Sequence, residues 1–343
     1  MSDRKILQTV DTKIWILAVI MIGVIVVLSL VLPGHFLTLR NFQSMAYQFP
    51  EFGLLALAMT IAMITGGIDL SVIATANLTG IVAAMIMTNY LAAENAGNPA
   101  ATSVVILAIA AALAAAAICG LLNGILISLV GVPPILATLG TMIFYSGIGM
   151  AVTKGIGVVG FPDSFLEIGA GKLFLFPIPL LIFIGCALVI SFILNKTSFG
   201  LKLYLVGANP TASLFSGINN RIVVINTYLI TGLLAGVSSI IMISRFNSAK
   251  VGYGDTYLLQ AILVSVLGGI DPYGGYGKVS GVVMGIIILQ VLQNAFTLFG
   301  FTPYAKGFIW GLMLILVMII NFVTSRYQEK SKIQRMTEQK AVE

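Results

Sequence analysis

Long apolar stretches, broken by short polar or glycine- and proline-rich punctuation, run almost the whole length of the chain. They cover roughly 14–32, 48–65, 70–89, 103–130, 134–153, 177–194, 222–244, 256–268, 279–299 and 307–324. Most reach about 20 residues, which as helix at about 1.5 Å per residue matches the roughly 30 Å hydrocarbon layer of a bilayer. None alternates apolar and polar residues as a membrane barrel strand does. Lipid offers an unpaired backbone group no partner, so these stretches are expected to be helices. The first, 14–32, has 19 uncharged residues, more than a typical cleaved signal carries, and reads as a permanent helix. The expected fold is an all-α membrane protein, a polytopic bundle of about ten transmembrane helices. A single domain would span 14–324, between an N-terminal segment 1–13 and a frayed polar tail 325–343.

Composition supports this pattern. Hydrophobic residues make up 59% of the 343 and charged residues only 9%, against about a quarter charged in soluble domains. The mean hydropathy is +1.06. Cys119 and Cys186 each lie in an apolar run and read as small buried hydrophobes, with no spacing for a disulfide framework or a zinc site. His35, the single histidine, cannot build a metal site alone and reads as interfacial. The net charge of +6 does not indicate nucleic acid, because the basic residues gather at the termini and in one central loop, where they set topology. With the N-terminus in the cytoplasm, 12 Lys and Arg fall inside and 6 outside. That ratio places both termini on the cytoplasmic side.

The central loop, 196–221, reads KTSFGLKLYLVGANPTASLFSGINNR. Asn209 suits an N-cap, Pro210 the first helical position and Gly217 a stop. The enclosed helix has about two turns and is marginal alone. Its Leu214 and Phe215 need an apolar contact, either the chain's own membrane domain or a cytoplasmic partner.

Four stretches then carry a resemblance: MTIAMITGGIDLSV at 59–72, GLLNGILISLVGVPPILATLGTM at 120–142, the loop segment TSFGLKLYLVGANPTASLFSGIN at 197–219, and LLQAILVSVLGGIDPYGGYGKVSGVVMG at 258–285. In this order the chain resembles the ribose-type permeases of ABC importers, a family related to the branched-chain amino acid permeases, over about 47–321. Two departures stand out: Ile73 follows GGIDLSV where the family often has glycine, and Ala208 replaces a common second glycine in the loop. The resemblance implies a permease subunit of the bacterial cytoplasmic (inner) membrane, translocating a monosaccharide or small polyol. It implies three partners besides the bilayer: a cytoplasmic ABC ATPase, an extracytoplasmic sugar-binding protein and a second permease subunit, identical or paralogous. It also implies an ATPase-coupling role for Gly207, Asn209, Pro210, Ala212, Leu214, Phe215, Ser216 and Gly217. No cofactor is expected on this chain, and ATP would be hydrolysed by the partner. The Gly171-Lys172 and Gly277-Lys278 pairs have Leu166 and Pro272 at the first-glycine position and Leu173 and Val279 at the Ser/Thr position, so neither is a P-loop.

Polar residues inside the apolar runs are candidates for a translocation pathway: Asp69, Ser71, Asn77, Asn123, Gln290 and Asn294. Gly66-Gly67 interrupt a run just before Asp69, and interrupted helices often build transporter sites. The competing role for Asp69 is a cap that stabilises the break, and for the amides, hydrogen bonds between helices. GGID recurs at 66–69 and 268–271. Two other functions stay open: a stand-alone secondary transporter, and, more remotely, an intramembrane aspartyl protease using Asp69 and Asp271.

Overall fold

The computed structural model describes residues 2–91 and 100–342; Met1 and Glu343, the ends of the expected terminal segments, lie outside them. The first long helices, in chain order, are α1 (Ser2–Val31), α2 (Leu39–Ile64), α3 (Val72–Leu91), α4 (Ala100–Ile125) and α5 (Pro134–Thr153). A short α6 (Asp163–Ala170) precedes α7 (Ile178–Lys196); two short helices, α8 (Ser198–Ala208) and α9 (Pro210–Phe215), then precede α10 (Asn220–Phe246). The bundle closes with α11 (Asp255–Leu267), α12 (Val279–Leu298) and α13 (Pro303–Val342). Among the described residues, eight helices are long and apolar enough to cross a bilayer, and Trp15–Val31 and Asp255–Leu267 are shorter apolar helices. The ten expected segments therefore correspond to eight full spans and two shorter ones.

Among the described residues, strand content is confined to two tiny antiparallel ladders. One pairs β1 (Val158–Val159) with β4 (Ser248–Ala249); the other pairs β2 (Lys172–Leu173) with β3 (Phe176–Pro177). Both lie at the end of the bundle opposite the central loop.

α10 is the hub, packing against α4, α2, α3 and α6. Its closest neighbour is α4, and the reason lies in glycine. A Cβ on Gly120 would strike the Tyr228 carbonyl oxygen, and one on Gly124 would lie 2.8 Å from the Ile225 Cα. Without those carbons the two backbones touch, the small-residue packing that holds membrane helices when no hydrophobic force separates helix from lipid. Burial is greatest in α2, where Leu54 to Met59 are all but inaccessible. The outer surface is apolar, with Trp15, Leu30, Ile143 and Leu188 between 65% and 77% exposed. Such a belt suits lipid.

Two expectations need correction. The segment 325–342 continues α13 as helix through Val342, where a frayed tail is expected; its Glu, Lys, Gln and Arg residues are good helix formers. The central loop holds two helices instead of one. α8 is capped by Thr197, whose hydroxyl accepts from the Gly200 N–H at 3.3 Å.

A polar helix break and an exposed loop helix

The chain leaves α2 through Gly66, whose φ of +81° only glycine adopts readily. Space is short as well: a Cβ there would lie 3.2 Å from the Tyr273 carbonyl oxygen. Nearby, the Ile64 carbonyl accepts from the Gly275 N–H at 2.8 Å. Gly207 of α8 meets both groups so closely that a Cβ would overlap the Ile64 oxygen. The first GGID stretch and the PYGGYG string after the second are thus locked together at the end of the bundle that carries the central loop. Tyr204 adds a tie from α8, donating to the Gly277 carbonyl at 2.7 Å. Burial pushes its phenol up to about 12, so it stays a donor at neutral pH.

From Gly67 the chain runs non-helically to α3, and Asp69 organises this stretch. It is 3% exposed. Its Oδ1 accepts from the Ser71 N–H at 3.0 Å and the Ser71 hydroxyl at 2.7 Å. Its Oδ2 accepts from the Thr231 hydroxyl of α10 at 3.1 Å. Ser71 in turn accepts from Asn123 of α4 at 2.7 Å, and Asn123 accepts from Thr141 of α5 at 2.7 Å. Thr138 accepts the Leu70 N–H at 3.1 Å. The Ser71 carbonyl accepts the Thr75 N–H, so the carboxylate sits beside the N-terminus of α3, where a negative charge is favoured. This geometry is that of a cap and a four-helix latch. Asp271 belongs elsewhere: its carboxylate accepts from the Tyr273 N–H at 2.9 Å, and no hydrogen bond joins it to Asp69. A proton-sharing aspartate pair has no geometric support.

The six candidate pathway residues separate into four places. Asp69, Ser71 and Asn123 form the latch. Asn294 exchanges two amide hydrogen bonds with Asn41 at 2.8 and 3.0 Å, joining α12 to α2. Gln290 lines a small polar cavity of about 50 Å³ with Gln48, Arg245, Tyr257, Gln260 and Gln293. Asn77 lies apart, on a larger cleft between α3, α5 and α11.

The polar cavity exposes what the sequence reading misses. Glu51, wholly buried in α2, forms an ion pair with Arg245 at the end of α10. A second bond joins Arg245 Nε to Glu51 Oε2 at 3.1 Å, and Tyr257 of α11 donates to Glu51 at 2.8 Å. The guanidinium also lies 4.5 Å from the Phe246 ring centroid. A charge inside an apolar run was the available signal.

In the central loop the expected capping is present. Asn209 Oδ1 accepts from the Ala212 N–H at 2.9 Å, Pro210 opens α9, and Gly217 takes φ +78°. Ser213 anchors the helix from beneath, bonding Asn220 at 2.9 Å, while Asn220 donates to the Pro210 carbonyl at 2.7 Å. The other face is not covered by any described residue: Leu214 is 62% and Phe215 87% exposed. Beside it a groove of about 530 Å³ is lined by Leu214, Gly217, Ile218, Asn219, Asn220 and Arg221. Leu214 and Phe215 are therefore not packed on the described part of the chain's own membrane domain.

Comparison with known proteins agrees with this architecture. Residues 41–318 match the family model described as the permease component of a branched-chain amino acid transport system. The chain is 32% identical over 283 residues to the autoinducer 2 import system permease protein LsrD of Escherichia coli, covering 81% of this chain and 82% of the relative. The protein of the same name from Shigella flexneri gives the same figures. That from Photorhabdus temperata is 30% identical over 297 residues, covering 84% of this chain and 85% of the relative. No solved structure matches. On the extent of the model match and of these identities, the chain belongs to the family of branched-chain amino acid transport system permease components.

Proposed function

We propose that this chain is the membrane-spanning subunit of an ABC importer carrying a monosaccharide or related small polyol across the cytoplasmic membrane. A separate cytoplasmic ATPase supplies the energy, an extracytoplasmic binding protein delivers the cargo, and a second permease subunit completes the translocation unit. Both termini and the central loop face the cytoplasm. One observation carries the reading: α9 is capped at both ends and anchored beneath, yet presents Leu214 and Phe215 outward. An exposed aromatic held on a rigid element is the form an interface anchor takes. The names of the relatives, all import system permeases, support the same role.

The first test is purification of the tagged chain from its native membrane after gentle cross-linking, followed by mass spectrometry. Recovery of an ATPase with two nucleotide-binding domains is expected. A clean preparation without one would favour a stand-alone secondary transporter. Phe215→Glu is then expected to reduce uptake and ATPase recovery at least tenfold with no change in the melting temperature of the purified permease. Unchanged uptake would remove α9 as the docking element.

A further inference from the structure

The cleft between α3, α5 and α11 has a volume of about 550 Å³, within the range of small-molecule sites. Three polar groups from three different helices line it: Asn77 of α3, Ser146 of α5 and Asp255 of α11. The remaining wall is aliphatic and thioether, with Ile73, Met142 and Met150 among its residues. Asn77 is 4% exposed, and its Oδ1 has no hydrogen-bond partner. A buried amide oxygen in this condition calls for a donor from outside the protein. The cleft begins two residues beyond Ser71 of the latch, at Ile73, and extends to Asp255 at the first turn of α11. Its side along α5 is open, where Ile143 is 65% and Met150 55% exposed.

Resting on the importer reading above, we infer that this cleft is a cargo chamber for a neutral polyhydroxylated molecule, with Asn77 as its hydrogen-bonding floor and Asp255 at its rim. The chemistry separates the cargo classes. Hydroxyl groups are donors as well as acceptors, so a polyol satisfies the Asn77 oxygen and can donate to the Asp255 carboxylate. A branched-chain amino acid brings its own carboxylate, which needs a cation. Among the described residues lining this cleft, the one charged residue is Asp255, of the same sign as that carboxylate. That ligand's ammonium can pair with Asp255, but its carboxylate meets no cation here and would be buried unpaired, which disfavours it. The two methionines suit a chamber that passes its cargo on, because the thioether chain adapts its shape.

The test uses full-length protein in sealed membranes, with its native partners present. Ser146→Cys and, on another face of α5, Phe144→Cys are treated from the extracytoplasmic side with a membrane-impermeant methanethiosulfonate. Ser146→Cys is expected to react at least tenfold faster. A saturating mixture of neutral pentoses, hexoses and inositols is expected to slow that reaction at least threefold, and leucine to leave it unchanged. Adding Asn77→Leu should abolish the protection while the unprotected rate stays the same. Equal reactivity of the two cysteines, protection by leucine and not by the polyols, or protection that survives Asn77→Leu each overturns the assignment. ATPase recovered from the same membranes separates the two levels: protection lost with the ATPase present rejects the chamber alone, and an absent ATPase rejects the importer reading beneath it.

Discussion

Asp69 has all its hydrogen-bonding neighbours inside the protein, and this fixes what its replacement should do. Asn at this position keeps one acceptor oxygen but presents an amide donor to a second hydroxyl or N–H. Hydrogen bonds to a charged group contribute about 1.5–3 kcal/mol. Asp69→Asn should therefore lower the melting temperature of the purified permease by several degrees, and uptake should fall in proportion to folded protein. Lost uptake with an unchanged melting temperature would instead show that Asp69 touches cargo. Glu51 poses a different problem. Removing its charge leaves Arg245 partly buried and unpaired, and breaking such a pair costs about 3–5 kcal/mol. Glu51→Gln should sharply reduce the yield of folded protein, while Glu51→Gln with Arg245→Met should recover most of it; no recovery in the double variant would mean the charges are required for something other than mutual neutralisation. Asp69 was legible as a special residue because Gly66-Gly67 announce the break locally. Glu51 stood out as a charge in an apolar run, but its pairing was not legible, because its partner lies 194 positions away and nothing in the run identifies which distant cation will meet it.

At the scale of elements, local signals survived and relational ones did not. α9 follows from Asn209, Pro210 and Gly217, whose effects act within a turn of themselves. α8 is invisible to the same reading because its Leu201, Leu203, Leu205 and Val206 look like more apolar loop, and its start depends on the Thr197 hydroxyl turning back to Gly200. The dispersal of the six candidate pathway residues has the same origin: a polar residue in an apolar helix announces that it needs a partner, without saying whether that partner is a neighbouring helix or a cargo. The α4–α10 crossing can be tested as a relation between elements. Gly120→Ala places a carbon against the Tyr228 carbonyl and should destabilise by about 1–3 kcal/mol, the usual cost of overpacking. Gly140→Ala, on α5 with nothing within 4 Å of the added carbon, should be neutral or stabilising by a few tenths, since alanine favours helix. Melting curves of the two variants measure the contrast directly, and equal melting temperatures would mean α4 and α10 do not cross at Gly120.

For the whole molecule, the hydrophobic pattern located nearly every span because a bilayer imposes one length and one polarity on each, whatever its neighbours. The side of the membrane on which each end lies rests on a weaker signal, the excess of Lys and Arg on one side, and the structure supplies two probes for it. Phe174, 91% exposed in the β2–β3 hairpin, and Phe215, 87% exposed on α9, are separated in sequence by a single full span, α7. One crossing must place them on opposite sides. Phe174→Cys should react in intact cells with a membrane-impermeant thiol reagent, and Phe215→Cys only after permeabilisation. The native thiols give little background, Cys119 being buried and Cys186 lying within α7. The reverse pattern would invert the topology and put the exposed face of α9 where no cytoplasmic ATPase could reach it. Reaction of both in intact cells would mean that α7 does not span. Either result would undo the functional reading at its root, because a docking helix drives transport only when it faces the compartment that holds ATP.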